Sequence, residues 1–501
     1  MLSLKNTLIV LLLVAQLCYF LIVSPKKSFW SDEVLTYVVV SKSSFPEMWQ
    51  STTDALNTSP PFYFVALWLW KQAAGADPMA LRLFSTLCMM AATFIWWLLL
   101  ARAYSKETAT LGVVFCFSLS SMLQNHITDA RQYALLSLFM SIACYCAYSA
   151  YLSKKLNVLN VVVFAFSNLG LIYTHYFGVL YSAGITGIVI FQLMKNRKAA
   201  FTYLLASMLV WATFIPWLPI LKFHREVASQ CPWFIVPGFG DLFGVLTSQI
   251  TALNIFLPLI LLCLASCRFN SLFRDPSTIV APTSDRPNLL SIAGMMAGIV
   301  VFVYVYSLYV KPVFNLRYMI CSYPLWAILI THLSYRYLSY NAGISSGTPF
   351  LTSRLMNFTC IAMICCLIVS AINLTVESES CVIQEIVNQG SFPVIDEYSV
   401  EQLPRWFNSK TPERFVFLMN TADYGCDMGH PRFLTDVVKN ADRMTAMTIE
   451  KFLETTDEFY LIDRLGTDWA NRLILENHAY QCVRLPAEIG AIAIFHVKKQ
   501  R

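Results

Sequence analysis

Long apolar runs recur along the first three-quarters of the chain, separated by short polar segments. Eleven runs approach the length of a helix that crosses a bilayer, for which about 20 residues span roughly 30 Å of hydrocarbon. The predicted spans are 7–23, 82–101, 108–123, 133–152, 158–173, 176–194, 200–221, 243–265, 288–309, 318–335 and 355–374. The pattern predicts an all-α polytopic membrane protein. No small-residue cleavage site follows the first run, which we interpret as an uncleaved anchor.

The segment 59–75 is also apolar, but it is too short to cross a bilayer and contains two prolines near its start. We interpret it as a helix at the membrane interface, with Trp68 and Trp70 at headgroup level. Counting it as a span would move every later loop to the opposite side of the membrane. Residues 24–81 then form one long loop on the outer side.

The pattern changes after residue 374. "RFVFLMNTADY" and "EIGAIAIFHVKK" predict strands, and "TIEKFLETTDEFYLIDR" predicts a helix that runs into a strand. Residues 375–501 have a net charge of −6, against +12 for residues 1–374. We therefore expect a transmembrane domain over 1–374, followed by a small soluble α/β domain over 375–501.

The distribution of Lys and Arg between loops predicts the orientation. With a cytoplasmic N-terminus, the inner loops of the membrane domain carry thirteen Lys and Arg against three acids, and the opposite face carries ten against eight. The C-terminal domain then lies on the outer face.

The chain is 57% hydrophobic and 13% charged, which excludes a soluble single-domain protein, and we expect no nucleic-acid partner.

Most of the fifteen cysteines lie in apolar runs, and no pair of CxxC motifs indicates a zinc ribbon. Cys231, Cys381, Cys426 and Cys482 fall outside the predicted spans on the predicted outer side. One or two disulfides could form among them on an oxidising side, and the pairing stays open.

None of the eleven acids of the membrane domain falls inside a predicted span, as the cost of burying charge in hydrocarbon leads us to expect. Polar and aromatic candidates collect instead on the outer side of the predicted helices. They are Asp32, Glu33, Asp129, Arg131, Tyr133, His175, Lys311, Arg317 and Tyr318.

Each candidate also has a structural explanation. The Asp32–Glu33 pair could be a solvated loop, and Asp129 with Arg131 could be a local ion pair at a helix start. Arg317 with Tyr318 could be an interfacial anchor, and His175 could be a packing residue. Their common placement favours a functional site.

The order of motifs resembles the GT-C glycosyltransferases. The acid pair after span one is followed by "PPFYF", "GADPMALRLFS" and "DARQYAL", and later by "THYFGVL" and "NLRYMICSYPLWAIL". The branch that this order resembles most contains the protein O-mannosyltransferases and the lipid A aminoarabinose transferases. The similarity covers roughly residues 25–330, and the tail is similar to the outer domain of many bacterial members. Ser59 stands where many members carry a histidine before the double proline.

The resemblance implies a transferase that takes a sugar from a polyprenyl-phosphate carrier at the outer face of a membrane, here a bacterial inner (plasma) membrane. In this family the first-loop acid is the catalytic base, which maps onto Asp32, with Glu33 as its neighbour. The second-loop acid maps onto Asp129, with Arg131 beside it. The implied acceptor is a lipid, a glycan or a protein.

The chemistry fits these residue types. A carboxylate can take the proton of an attacking hydroxyl, and direct displacement inverts the anomeric centre. The leaving phosphate gains negative charge, which Arg131, Arg317 and Lys311 can stabilise. Protein cations can suffice for a monophosphate leaving group. Asp32, Glu33 and Asp129 could also bind Mg²⁺ or Mn²⁺, so both alternatives stay open.

Two other classes use similar features. A transporter or flippase of a lipid-linked or anionic substrate would also need outer cations, but transporters usually place ionisable groups or broken helices near the midplane. A non-catalytic scaffold would bind a partner through the tail.

Overall fold

A computed structural model of the chain describes residues 4–54, 58–153, 156–230, 236–250, 287–342, 349–373, 391–396, 399–419, 444–463, 471–485 and 493–500. Three of the four cysteines predicted outside the spans, Cys231, Cys381 and Cys426, lie outside these residues. Cys482 is described and has a free thiol.

The helices in chain order are α1 (Leu4–Val23), α2 (Ser31–Val40), α3 (Phe45–Thr53), α4 (Phe62–Ala74), α5 (Pro78–Ala103), α6 (Lys106–Leu119), α7 (Ser121–Asn125), α8 (Tyr133–Ser153), α9 (Val158–Thr174), α10 (Gly178–Gln192), α11 (Arg197–Thr213), α12 (Leu218–Gln230), α13 (Phe239–Leu246), α14 (Pro287–Tyr309), α15 (Leu325–Ala342), α16 (Pro349–Asn373), α17 (Ser399–Asn408) and α18 (Ile449–Thr455). The strands are β1 (Val394–Asp396), β2 (Val416–Met419), β3 (Thr445–Thr448), β4 (Glu458–Asp463), β5 (Tyr480–Arg484) and β6 (Ala493–Lys499).

The chain forms two compact units. The first unit consists of Met1–Val23, Arg82–Pro216 and Phe234–Leu374, and the second of Ser24–Leu81, Trp217–Trp233 and Thr375–Arg501. The structure thus groups the long loop 24–81 with the C-terminal residues. The domain boundary at residue 374 stays a prediction from the sequence.

The first unit is a helical bundle. Helix α6 packs against α1, α15 and α16, while α8 packs against α9 and α10, and α10 against α14. The approach of α6 to α15 is close, since a Cβ at Gly112 would lie 2.2 Å from Thr331 Oγ1 and 2.5 Å from the Ala327 carbonyl oxygen. A residue without a side chain is therefore needed at this crossing.

Within the described residues, five helical segments are long and apolar enough to cross a membrane: Pro78–Ala103, Tyr133–Ser153, Arg197–Val227, Leu289–Tyr309 and Met356–Asn373. The segment Arg197–Val227 consists of α11, a 3-10 helix at Ile215–Trp217 and most of α12. Three shorter apolar helices are Thr7–Val23, Val158–Thr174 and Gly178–Gln192. All eight coincide with predicted spans, and the chain is a multi-pass membrane protein. Its orientation stays a prediction.

The other three predicted spans differ from the structure. Helix α6 covers most of 108–123 but is only 14 residues long. The predicted helix 318–335 is wrong at its start, because a 3-10 helix spans Leu316–Ser322 and α15 begins only at Leu325. Helix α13 covers the first residues of 243–265, and residues 251–265 lie outside the described part of the chain.

In the second unit, α2, α3 and α4 pack together. The predicted helix over 59–75 is confirmed as α4, while its depth in the membrane stays a prediction. The indole N–H groups of Trp68 and Trp70 donate to the backbone carbonyls of Lys42 and Ala80, at 3.0 Å and 2.8 Å. Both tryptophans therefore also tie the loop 24–81 together.

The C-terminal part of the second unit is α/β, as predicted. Four strands form a sheet in the order β1-β4-β6-β5, in which β1 and β4 are parallel and β6 runs antiparallel to both of its neighbours. Strands β2 and β3 form a parallel pair. Ile395, Phe452, Phe459, Leu461 and Val497 are fully or almost fully buried in its core.

Helix α17 packs against α2 in this unit. The ring of Phe407 stacks on Phe29, with centroids 5.3 Å apart, and meets Tyr37 edge-on at 4.8 Å. The C-terminal residues therefore support the helix that carries the predicted acid pair.

Candidate functional site

The short segment between α7 and α8 carries Asp129 and Arg131, and α5 fixes its backbone. Thr86 Oγ1 donates to the carbonyl oxygen of Ile127 at 2.8 Å, and Ser85 Oγ donates to that of Arg131 at 3.4 Å. The Arg131 N–H donates to the carbonyl oxygen of Asp129 at 2.7 Å. These bonds hold a non-helical turn at a defined position in the first unit.

A histidine that the sequence analysis missed pairs with Asp129. His126 Nδ1 lies 3.0 Å from Asp129 Oδ2, and both side chains are buried. The carboxylate orients the imidazole, since a buried carboxylate needs a donor and the ring nitrogen supplies one. The three-residue spacing between histidine and acid was the available signal.

His175 lies directly after α9, outside the membrane-spanning helix, and is buried. The Phe177 backbone N–H donates to His175 Nδ1 at 3.2 Å. Burial, and then the positive charges of Arg131 and Arg317, lower the pKa of His175 to about 3. The imidazole is therefore neutral at physiological pH, and both guanidinium groups lie close enough to act on it.

Arg317 and Tyr318 lie at the start of the 3-10 helix Leu316–Ser322. The Asn315 side chain caps this helix by accepting the Arg317 N–H at 3.2 Å. The Arg317 guanidinium carbon is 5.8 Å from the centroid of the Tyr318 ring. The cap thus fixes where the arginine leaves the backbone.

Aromatic rings join these segments. Tyr318 lies 4.8 Å from His175, 5.3 Å from Phe177 and 6.4 Å from Tyr133 between ring centroids. Tyr133 lies 4.5 Å from His126 and 5.8 Å from His175. Segments that are distant in sequence therefore meet at one place.

We call this group the two-arginine cluster. It contains His126, Asp129, Arg131, Tyr133, His175, Phe177, Arg317 and Tyr318. Six of these residues are candidates from the sequence, and the structure brings them together. Their chemical roles stay predictions. Lys311 lies in the segment before the 3-10 helix, and within the described residues no ion pair or hydrogen bond joins its ammonium group to the cluster.

Asp32 and Glu33 belong to the second unit, in the first turn of α2. Glu33 is fully buried, and its carboxylate accepts the Trp30 backbone N–H at 3.4 Å. This is the bond of an N-terminal capping residue. Asp32 is half-buried beside it, at a helix end where the dipole favours negative charge. Glu33 therefore has a structural role in capping α2.

Arg82 is a second residue that the sequence analysis passed over. It lies in the first turns of α5, within the motif "GADPMALRLFS", and is fully buried. Fully buried arginines are rare unless they are paired. Its place at the first position of a predicted span was the signal.

Among the described residues, no group of three or more His, Cys, Asp and Glu side chains is arranged to hold a metal ion.

No protein-family model and no curated protein matches the sequence. The fold, by contrast, matches solved structures. ArnT from Cupriavidus metallidurans bound to undecaprenyl phosphate aligns with a TM-score of 0.58 at 11% identity, over 98% of each chain. The apo state of ArnT from the same organism aligns with a TM-score of 0.57 at 11% identity, again over 98% of each chain. The chain has a GT-C-like fold, which confirms the expected fold class and, at the level of the fold, the resemblance.

Proposed function

We propose that this protein is an integral-membrane glycosyltransferase that moves a sugar from a polyprenyl-phosphate donor to a lipid, glycan or protein acceptor. The two-arginine cluster is the observation that carries the proposal. It combines the buried guanidinium of Arg131 and the half-buried guanidinium of Arg317 with a neutral imidazole and two buried tyrosines. One of the solved structures with this fold is an ArnT, an aminoarabinose transferase, bound to undecaprenyl phosphate.

The charge of the cluster suits the leaving group. When the bond from the anomeric carbon to the phosphate oxygen breaks, the phosphate gains negative charge. Fixed guanidinium groups aimed at those oxygens stabilise the transition state, and they do so more strongly in a buried site than in water. Arginine also binds phosphate oxygens in a bidentate way. Arg131 and Arg317 supply this interaction in the proposed mechanism.

The acceptor side of the reaction needs a base when the attacking group is a hydroxyl. We assign that role to Asp32, because it is half-buried in the first turn of α2 while the carboxylate of Glu33 is engaged in the helix cap. A single base and a direct displacement give inversion at the anomeric carbon. Lys311 remains a weaker candidate for the phosphate.

The Asp32→Asn variant tests the proposal. Membranes that contain it should show no transfer from a polyprenyl-phosphate sugar, at unchanged protein abundance, because the amide cannot accept the proton. Asp457→Asn, at an exposed position of the second unit, is the matched control and should transfer normally. Substantial turnover by Asp32→Asn would refute the base assignment.

Mass spectrometry of lipids and glycans from a deletion strain would identify the sugar and the acceptor together, through a missing mass increment.

The transfer assay with EDTA, and with Mg²⁺ or Mn²⁺ added back, decides between protein cations alone and a metal-assisted reaction. Flipping or uptake by the purified protein without transfer would favour the transporter alternative.

A further inference from the structure

The two ring nitrogens of His175 have different environments. Nδ1 accepts the backbone N–H of Phe177 at 3.2 Å, so it carries no proton. In a neutral imidazole the single proton then sits on Nε2, which is a donor. The side chain is more than nine-tenths buried. Among the described residues, nothing hydrogen-bonds to Nε2.

The surroundings of the ring explain why it stays neutral. Arg131 and Arg317 both act electrostatically on it, and a protonated imidazole would add a third positive charge in a buried place. Its ring neighbours are Tyr318, Tyr133 and Phe177, none of which carries a charge at neutral pH. The carboxylate of Asp129 is engaged by His126.

We propose that His175 is a hydrogen-bond donor of fixed tautomer, whose Nε2–H binds a phosphate oxygen of the anion held by Arg131 and Arg317. The inference rests on the proposed function and adds a positioning residue to it. The two guanidinium groups balance the charge of the phosphate. The imidazole adds a directed hydrogen bond without adding charge, so the charge that His175 itself contributes to the site does not change within the physiological pH range.

Two substitutions of similar volume separate the donor from the packing. His175→Gln keeps a side-chain N–H close to the position of Nε2, whereas His175→Met fills the space without one. We expect His175→Met to bind undecaprenyl phosphate in nanodiscs about 10- to 100-fold more weakly, the effect of losing a hydrogen bond to a charged group. His175→Gln should keep most of the affinity, and the exposed control His478→Gln should keep all of it.

Inorganic phosphate serves as a second probe, because the same chemistry could come from a lipid headgroup or from free phosphate. If the variants differ in affinity only for the lipid, the Nε2–H contact is made to a lipid headgroup. If they differ in affinity for both probes, the contact is made to the phosphate group itself. Wild-type affinity of a folded His175→Met for both probes would overturn the inference.

Nitrogen NMR of the wild-type protein with labelled histidine tests the tautomer directly, whether or not His175→Met folds. The resonances of His175 are identified as those lost in His175→Gln. We expect an unprotonated Nδ1 and a protonated Nε2 from pH 5.5 to 8. A His175 signal that titrates near pH 6.5 would overturn the inference.

These measurements also separate the inference from the proposed function. If lipid-phosphate binding depends on the donor but no sugar is ever transferred, the proposed function fails and the role of His175 stands. If transfer and binding proceed unchanged in His175→Met, the proposed function stands and the role of His175 fails.

Discussion

At the residue scale, substitution of the two arginines can separate the effect of guanidinium geometry on phosphate binding from the effect of positive charge. Arg131→Lys and Arg317→Lys keep the positive charge but lose the planar fork that holds two phosphate oxygens at once. We expect either variant to bind undecaprenyl phosphate roughly tenfold more weakly and to transfer sugar more slowly. Arg336→Lys, at an exposed position of α15, is the control. Unchanged affinity in both variants would remove the arginines from the phosphate site.

His175 also makes a prediction about pH. Its pKa is about 3 in the folded protein against 6.5 for the unperturbed group, because of burial and then the two arginines. As the pH falls below 6.5, the unfolded chain takes up a proton that the folded chain does not, so the free energy of unfolding decreases, by up to about 1.4 kcal/mol per pH unit. The loss continues until the pH approaches 3.

Thermal unfolding in detergent at pH 7 and pH 5 measures this contribution. The melting temperature of the wild type should fall by more between pH 7 and pH 5 than that of His175→Gln, because glutamine does not titrate. Equal losses in the two proteins would show that His175 is not buried as a neutral group.

Sequence reasoning found most members of the two-arginine cluster because charged and polar residues at the ends of apolar runs are unusual enough to notice. It missed His126 and Arg82 for a physical reason. Their significance lies in burial and, for His126, in a partner, which only tertiary packing defines. The resemblance suggested Asp32 and Glu33 together, and the capping bond of Glu33 shows why two adjacent acids can differ in role.

At the element scale, the turn between α9 and α10 depends on a glycine. A Cβ at Gly178 would lie 1.9 Å from the Leu171 carbonyl oxygen, which also accepts the His175 N–H at 3.3 Å. Gly178→Ala should therefore displace the turn that carries His175, lowering the melting temperature and the affinity for undecaprenyl phosphate.

Gly187→Ala is the matched control on the same helix. Nothing lies within 4 Å of the Cβ it would add, and alanine favours helix by about 1 kcal/mol over glycine. The control should be neutral or slightly stabilising. If Gly178→Ala behaved in the same way, the close approach would not be needed to hold His175.

The packing of α17 on α2 gives another prediction. Phe407→Ala removes the ring that contacts Phe29 and Tyr37, and α2 carries Asp32. We expect transfer to fall while binding of undecaprenyl phosphate stays normal, because both arginines belong to the first unit. Val483→Ala, at a half-exposed position of β5, is the control. A parallel loss of binding would indicate general unfolding instead.

Apolar run length predicted most of the long apolar helices well, because a bilayer demands long apolar runs. It failed where backbone geometry rather than apolarity decides. The run beginning at Tyr318 is apolar, yet Asn315 caps a 3-10 helix there, and Pro324 precedes the first residue of α15. Proline favours the start of a helix and disfavours its interior, so the sequence contained this signal.

At the scale of the whole molecule, the proposed mechanism requires residues 32 and 129 to be accessible from the same, non-cytoplasmic side. Single cysteines introduced at position 32 and at the exposed position 125, four residues before Asp129, should both react with an impermeant reagent in intact cells, or both react only from outside in oriented vesicles. Labelling from opposite sides would end the proposal. A cysteine at the basic position 102, predicted to be cytoplasmic, is the control and should stay unlabelled.

The sequence predicted apolar membrane helices followed by an α/β region, and the structure contains both the apolar helices and a C-terminal sheet. It did not predict that residues 24–81 and 217–233 group with the C-terminal residues. That grouping rests on contacts between distant segments, such as Trp49 with Trp217 at 5.9 Å and Phe29 with Phe407. Hydropathy describes each segment by itself and contains no information about such pairs.

The contact of Phe407 with Phe29 and Tyr37 bears on how such proteins can be recombined. A chimera that exchanges only the C-terminal domain for that of a relative would place a foreign surface against α2. A chimera that also takes the relative's residues at positions 29 and 37 should recover the activity that exchange of the C-terminal domain alone would lose.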